Sequence, residues 1–453
     1  MSQLNLSTSS SDSTPPSRPA SPVRDVLVIG TWIVATLAVI DVTINIVFAL
    51  PTSPKVVPSR LVTFFEYGRS IEGKLARTVG TSDATASLVA AAGWRVPPLG
   101  SNAPTWPREG SDLLVAVYGQ SFSGQVGEEL ARLDPTVTLR KWGGPAAPPN
   151  AAYGLYLADR GPHQANVVIL GVLASEVARM DSTSAINTQF EAPAPYTYPK
   201  FLTDGSGGLA TVELGVRTLA ELREVLADPA RRDSLRDAMR RDDPYFAPFL
   251  FDRNLLDSSA LVRMVRRAAA HHHIRAVDDR SHALSGFMDD APVIATLRLL
   301  VVEFAASARR DGKLPVLLLF NNRGFADHLY VCLADTIAAS DIPYVSSHTV
   351  CSANDPTVFI GDGHFTPEII TRIARALVNV LDTRLHRRDR PRGIGQSQGP
   401  TSTTRPLSTS WNVGSSVSRS TTANSSPLTK APVRSPRGSR GLVTKHYYKT
   451  LCI

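Results

Sequence analysis

Five short β-prone runs, separated by helical patterns, set the tightest limit on how this chain folds. They are Asp112–Gly119, Thr136–Lys141, Asn166–Val172, Pro315–Phe320 and Ile342–Ser346. Helical patterns fall at Ser123–Leu133, Asn150–Asp159, Val293–Arg310, Ala326–Ala339 and Pro367–Leu381. Runs such as DLLVAVYG and NVVILGV are apolar along their length, which suits strands covered on both faces. Strand and helix in alternation imply a parallel sheet with helices packed on it. The expected class is therefore α/β, a three-layer α/β/α arrangement around a five-stranded parallel sheet.

The rhythm stops between about 181 and 291, where APAPYTYPKF and DDPYFAPFLF alternate with charged helical segments. This stretch is expected to be an insertion at the sheet's edge. The whole domain is expected over 111–383. Residues 1–25 begin rich in Ser, Thr and Pro and are expected to be disordered. Residues 26–50 are almost continuously apolar, and about 20 such residues span a bilayer as a helix. No small-residue cleavage site follows, so the run is expected to stay as an anchor. Asp41 lies inside it, past the midpoint, and is expected to reach the far interface, protonation and pairing with another helix being the alternatives. Residues 51–110 read as a juxtamembrane linker, a partly amphipathic helix over 61–90, and a Pro-rich break.

Composition matters here for what it removes. The formal charge is +8, but residues 384–453 hold thirteen Lys or Arg against one acid, a net of +12. That leaves −4 for residues 1–383, so the basic balance belongs to a tail and says little about the domain's ligand. No nucleic-acid motif accompanies the tail, and no nucleic-acid partner is expected. Three cysteines are too few for a disulfide framework; Cys332 and Cys351 are left as a pair or as two buried thiols. No metal or cofactor is implied. Consecutive histidines at 271–273 point in different directions on a helix and rarely make one site.

Two blocks carry chemistry. Gly119-Gln120-Ser121-Phe122-Ser123 ends a buried strand and opens a helix. Ligands bind beyond the carboxyl ends of strands in such sheets, and the first turn of a helix offers free N–H groups to an anion. Ser121 there is a candidate nucleophile or a helix cap. Asp362-Gly363-His364 precedes the last helix. A serine hydroxyl needs a base, and imidazole needs a carboxylate to orient it. Asp362 and His364 supply both, or they form a plain Asp-Gly turn. The α/β-hydrolase elbow G-x-S-x-G fits less well, since its fifth position here is Ser123 and Ser121 follows the first clear strand.

In order and content the blocks GQSFS and GDGHFTPE resemble those of the SGNH/GDSL serine hydrolase superfamily, with Gln120 where that family has Asp. The resemblance covers about Asp112–Leu381, with the middle hundred residues unmatched. It implies an SGNH/flavodoxin-like sheet, Ser121, Asp362 and His364 as catalytic residues, and an oxyanion hole from Ser121 N–H and the Gly143–Gly144 loop. The family's Asn after the third strand is missing; Ser175 stands closest. Asp-x-His replaces the commoner Asp-x-x-His. Asn321, Asn322 and Arg323, after the fourth strand, read equally as substrate contacts or a turn. Tyr196, Tyr198 and Phe201 read as packing before a sugar-stacking surface.

The resemblance implies a membrane-anchored serine esterase or O-acyltransferase on an acylated envelope polysaccharide. It further implies a bacterial-type inner membrane, a single pass, and a domain facing the periplasm or exterior. The competing expectation is a catalytically silent module that binds glycan or scaffolds an envelope complex. The tail lacks apolar periodicity and cannot bury enough surface to offset its ordering entropy. Truncation after Thr383 is accordingly expected to leave the melting temperature nearly unchanged; a fall of many degrees in a thermal scan contradicts this.

Overall fold

The computed structural model describes residues 22–51, 58–81, 103–161, 163–205 and 207–387. Expectations that fall on 1–21, 52–57, 82–102 and 388–453 lie outside the described residues.

The first described element is helix α1 (Pro22–Val47), of which Val23–Val47 is long and apolar enough to cross a membrane. Two short helices follow, α2 (Arg60–Glu66) and α3 (Ile71–Thr81). The single helix expected over 61–90 is thus broken. The cause is tertiary: at Gly68 a Cβ would sit 1.8 Å from the Arg263 carbonyl oxygen, so another helix presses on the backbone there. Beside it Ser70 N–H donates to the buried Asp257 carboxylate at 3.0 Å.

The central sheet is built from β1 (Leu113–Gly119), β2 (Val137–Gly143), β3 (Val167–Leu173), β8 (Leu314–Phe320) and β9 (Tyr344–Ser346). Its order is β2-β1-β3-β8-β9 and every pairing is parallel. Counted along the sheet this is the doubly wound order 2-1-3-4-5, whose switch point lies between the first and third strands. Helix α4 (Ser121–Leu133) links β1 to β2, and α5 (Pro149–Asp159) links β2 to β3. Each residue of β1 and β3 is buried, so these strands are covered on both faces. Leu114, Ala116 and Tyr118 share one face with Val168, Leu170 and Leu317, against Tyr153 and Tyr156 of α5. On the other face Gly127 lets α4 ride within van der Waals reach of Val117 and Leu139.

Between β3 and β8 none of the described strands joins this sheet. Strands β4 (Lys200–Thr203) and β5 (Leu209–Val212) pair with each other, as do β6 (His282–Ala283) and β7 (Gly286–Phe287). Helices α6 (Leu219–Ala227), α7 (Pro229–Asp242) and α8 (Ala260–Asp278) lie between them. A second apolar cluster forms here, and Ile71, Leu75 and Val79 of α3 belong to it. The excursion leaves β3 and returns through α9 (Pro292–Arg310) to the adjacent strand β8. It therefore sits in a crossover at the middle of the sheet and not beside an edge strand. Helices α10 (His328–Ala339) and α11 (Pro367–Arg384) complete the order.

Asp41 does not simply reach water. Its carboxylate accepts from Ser259 Oγ at 2.9 Å and from Leu261 N–H at 2.8 Å, at the start of α8. Among the described residues Cys332 and Cys351 are free thiols and do not pair with each other. Burial pushes the Cys332 thiol up to about 12 and the Cys351 thiol up to about 11.

A buried polar network ties β1, β2 and α5. Arg140 Nε donates to Asp159 at 2.7 Å, and both side chains are 1% exposed. Arg140 Nη1 also donates to the carbonyls of Ala103 and Pro104. Tyr118 Oη donates to Asp159 at 2.8 Å and lies 3.0 Å from His163 Nε2. His163 Nδ1 accepts Ala165 N–H at 3.1 Å. With the tyrosine proton given to Asp159, His163 is neutral and donates from Nε2. Burial, then the Lys313 charge, holds its pKa down to about 4 from 6.5. A depressed folded pKa means that the unfolded chain binds the proton first, so stability falls as pH falls from about 6.5 towards 4. His163→Asn keeps an acceptor for Ala165 and removes the titration. Its unfolding free energy is expected to be less steep in pH over that window than the wild type's, measured by denaturant titration. Equal slopes contradict the assignment.

Candidate functional site

The carboxyl edge of the sheet gathers the chemistry. Ser121 is the first residue of α4, and Gln120 is its N-cap with extended backbone and no side-chain capping bond. The helix therefore starts two residues earlier than its apolar pattern suggested, and Ser121 stands on its first turn. Gln120 is buried: its Oε1 accepts from Ser123 Oγ at 3.1 Å, while Nε2 has no partner among the described residues. The side chain thus faces inward beneath the turn and leaves the hydroxyl of Ser121 outermost.

Three glycines permit this turn. Gly119 and Gly143 are register partners across β1 and β2, and a Cβ on Gly143 would lie 1.9 Å from the Gly119 carbonyl oxygen. A Cβ on Gly171 of β3 would lie 1.8 Å from Ser123 Oγ and 2.8 Å from its Cβ. Strands and helix start approach at distances that only hydrogen can occupy.

The second block forms a tight hairpin. Gly363 N–H donates to Ile360 C=O at 2.9 Å, and Ile360 N–H donates to His364 C=O at 2.8 Å. Gly363 has φ +85°, the left-handed position that a three-residue hairpin loop needs. Phe359 and Phe365 bridge across its base. Asp362 Oδ1 accepts His364 N–H at 3.1 Å, which fixes the turn.

The two blocks meet. His364 Nε2 lies 2.6 Å from Ser121 Oγ, a hydrogen bond between residues 243 apart in sequence. Phe122 stacks on the imidazole, ring centroids 4.8 Å apart, and Phe365 meets Phe122 edge-on. Phe122 was not singled out from sequence; its position beside Ser121 on a helix start is the signal that was available. Asp362 Oδ1 is 3.1 Å from His364 Nδ1, yet the angle is poor and Nδ1 has no directed hydrogen bond. The carboxylate is within ion-pair reach, but its best hydrogen bond goes to the backbone.

The remaining candidates divide. Gly143 and Gly144 are buried at the end of β2, with Tyr196 against Gly144. Tyr196 Oη and Gln189 Nε2 both donate to the Pro145 carbonyl, so the excursion braces the glycine loop. Ser175 follows β3, but its N–H donates to Asn322 Oδ1 at 3.2 Å and its hydroxyl donates to Glu176 at 3.3 Å. Neither donor is free, and Ser175 does not take the place of the missing Asn in this arrangement. Burial holds the Glu176 carboxyl above its ordinary range, against the pull of Arg179. Asn321 is buried and structural: its Oδ1 accepts Leu329 N–H at 3.1 Å and its backbone N–H donates to Ser347 Oγ at 2.8 Å. Asn322 positions Ser175, while Arg323 is exposed.

Tyr196, Tyr198 and Phe201 are buried and form no stacking surface. His271 meets Glu191 at 2.8 Å and His273 meets the Tyr245 carbonyl at 3.2 Å, so the histidine run diverges. Among the described residues no group of three His, Cys, Asp or Glu is arranged to hold a metal. A surface hollow of about 520 Å³ at the amino end of β2, lined by Arg108, Glu109 and Glu128, shares no residue with the Ser121–His364 pair.

Comparison with protein-family models, with curated proteins and with solved structures gave no match.

Gly171→Ala tests the close approach. The added methyl must displace Ser123, and overpacking of this kind costs typically ~1–3 kcal/mol. Denaturant unfolding is expected to show a loss in that range, only partly recovered in Gly171→Ala/Ser123→Ala because the Cβ contact persists. An unchanged midpoint contradicts the geometry.

Proposed function

We propose that this chain is a membrane-anchored serine esterase or O-acyltransferase of SGNH type, with an α/β/α sandwich around its sheet. The observation that carries the reading is the 2.6 Å contact between Ser121 Oγ and His364 Nε2. It falls at the switch point of a doubly wound sheet, where ligands bind. Ser121 Oγ attacks an acyl carbonyl carbon as His364 Nε2 takes its proton. The tetrahedral oxyanion is held by Ser121 N–H and by the Gly143–Gly144 loop, beside the positive end of α4. Collapse expels the alcohol, which leaves with the proton from His364. Water, or a sugar hydroxyl, then attacks the acyl-serine with His364 again as base. Water gives hydrolysis and a sugar gives transfer. Asp362 steadies the imidazolium by charge more than by a directed bond. An acylated envelope glycan is the proposed substrate class, with α1 in the inner membrane and the domain on its outer side.

A silent SGNH-like module is the second reading. It is favoured by Gln120 at the position of the family's Asp, by the undirected His364 Nδ1, and by the engaged donors of Ser175.

Kinetics separate the two. Ser121→Ala and His364→Ala are each expected to abolish cleavage of a short acyl ester. The double variant is expected to be hardly worse than either, because residues acting as a unit are strongly non-additive. Asp362→Asn is expected to cost less. Melting temperatures are expected to stay near the wild type's, since none of these side chains fills the core. Undiminished turnover in Ser121→Ala contradicts the proposal, and a wild type with no activity promotes the silent module.

A further inference from the structure

Helix α1 is not a free tether. Asp41, Ile44, Asn45 and Phe48 lie on one of its faces at helical spacing, and all four are half-buried. Asp41 is bonded to Ser259 and Leu261 at the start of α8. Asn45 Oδ1 accepts from Arg263 Nη2 at 2.7 Å. Arg263 in turn pairs with the buried Glu66 of α2 at 2.7 Å. Phe48 packs on Phe65 at 5.2 Å between ring centroids. The last two turns of the helix therefore belong to the folded domain.

What remains of α1 is Val23–Ile40, exposed along its length. Those residues rise about 27 Å at 1.5 Å each, close to the ~30 Å hydrocarbon thickness of a bilayer. The docking contacts thus set the depth: Asp41 stands at the membrane surface, and the elements that touch it stand there too. Those elements carry apolar side chains that remain exposed, Phe64 being partly covered by the Arg267 guanidinium at 4.6 Å from its ring centroid. On α2, Leu61 is 57% and Phe64 39% exposed. On the turn Leu255–Ser258, which leads into α8, Leu255 is 91% and Leu256 45% exposed. On the first turns of α8, Met264 is 41% and Val265 62% exposed, opposite the buried Arg263 and Arg266. Over these first turns of α8 Arg263 and Arg266 turn inward while Met264 and Val265 turn outward, which inverts the pattern of a water-facing surface helix; further along, Ala270 and Val277 are buried and His271, His272 and Arg275 are exposed. Exposed Arg60 and Arg253 adjoin these apolar positions in sequence, as an anionic headgroup layer favours.

We infer that the surface formed by α2, the Leu255–Ser258 turn and the start of α8 is a membrane-facing surface, seated in the headgroup region of the leaflet that α1 leaves. The occupant is phospholipid. The domain is held to the bilayer by α1 and by this face together, so it sits against the membrane in one orientation. This rests on the reading of α1 as a membrane anchor.

The test uses the full chain with Cys452→Ser, in vesicles of equimolar phosphatidylcholine and phosphatidylglycerol. Cys332 is buried and Cys351, which is half-buried, is replaced by Ser as well, so an introduced thiol takes the nitroxide label. Labels are placed one at a time by Leu255→Cys, Val265→Cys, Ile33→Cys and Leu284→Cys, the last a fully exposed position on the β6–β7 hairpin. Accessibility to oxygen is compared with accessibility to a water-soluble nickel chelate. The labels at 255 and 265 are expected to favour oxygen several-fold more than the label at 284 does, with 33 deepest. If 255 and 265 match 284 while 33 lies in lipid, α1 is an anchor and the surface proposal fails. If 33 itself lies in water, the anchor reading fails and the proposal with it. Spin–spin broadening at 265 between copies overturns it differently, by showing a second chain on this face.

Discussion

At the carboxyl edge of the sheet, β1, β2, β3 and the start of α4 come closer than any side chain permits. Gly143 faces the Gly119 carbonyl and Gly171 faces Ser123, each at a separation that excludes a Cβ. This steric constraint accompanies Ser121 on the first turn of α4, where its hydroxyl meets His364 Nε2 at 2.6 Å. It also explains why Gln120 is swallowed: with glycine on both flanking strands, the N-cap side chain turns beneath the helix to meet Ser123. The hairpin that carries His364 meets the same edge from the last loop of the domain. Everything proposed about catalysis depends on these backbones being in close register.

Much of the sheet was legible in the sequence. Fully buried strands leave short, uninterrupted apolar runs, and β1 and β3 are the clearest cases, each buried at every position. Ser121, Asp362 and His364 were legible as blocks because each lies where a strand or loop meets a helix. The breaks were not. Gly68 ends α2 because Arg263, almost two hundred residues later, presses on its backbone, and no local pattern carries that information. Likewise Asn322 gave no sign that its amide oxygen would take the Ser175 N–H. The excursion between β3 and β8 hid α3's place, since Ile71, Leu75 and Val79 find their apolar partners only in three dimensions.

Asp41 shows how one polar residue joins the two halves of the molecule. A carboxylate in a membrane helix is costly, by about 2.5–3.5 kcal/mol at the centre on insertion scales. Here two donors at the start of α8 meet it, and Asn45 extends the contact to Arg263 and Glu66. The defect in the apolar run is the point where helix α1 becomes part of the folded domain.

The account's central claim is that His364 activates Ser121 for attack on an acyl centre. A fluorophosphonate probe reports this directly, because it is captured only by an activated serine. Intact-protein mass spectrometry of the full chain should show one adduct, mapped by peptide analysis to Ser121 and lost in His364→Ala. A wild type that stays unlabelled, or an adduct on another serine that survives His364→Ala, contradicts the claim.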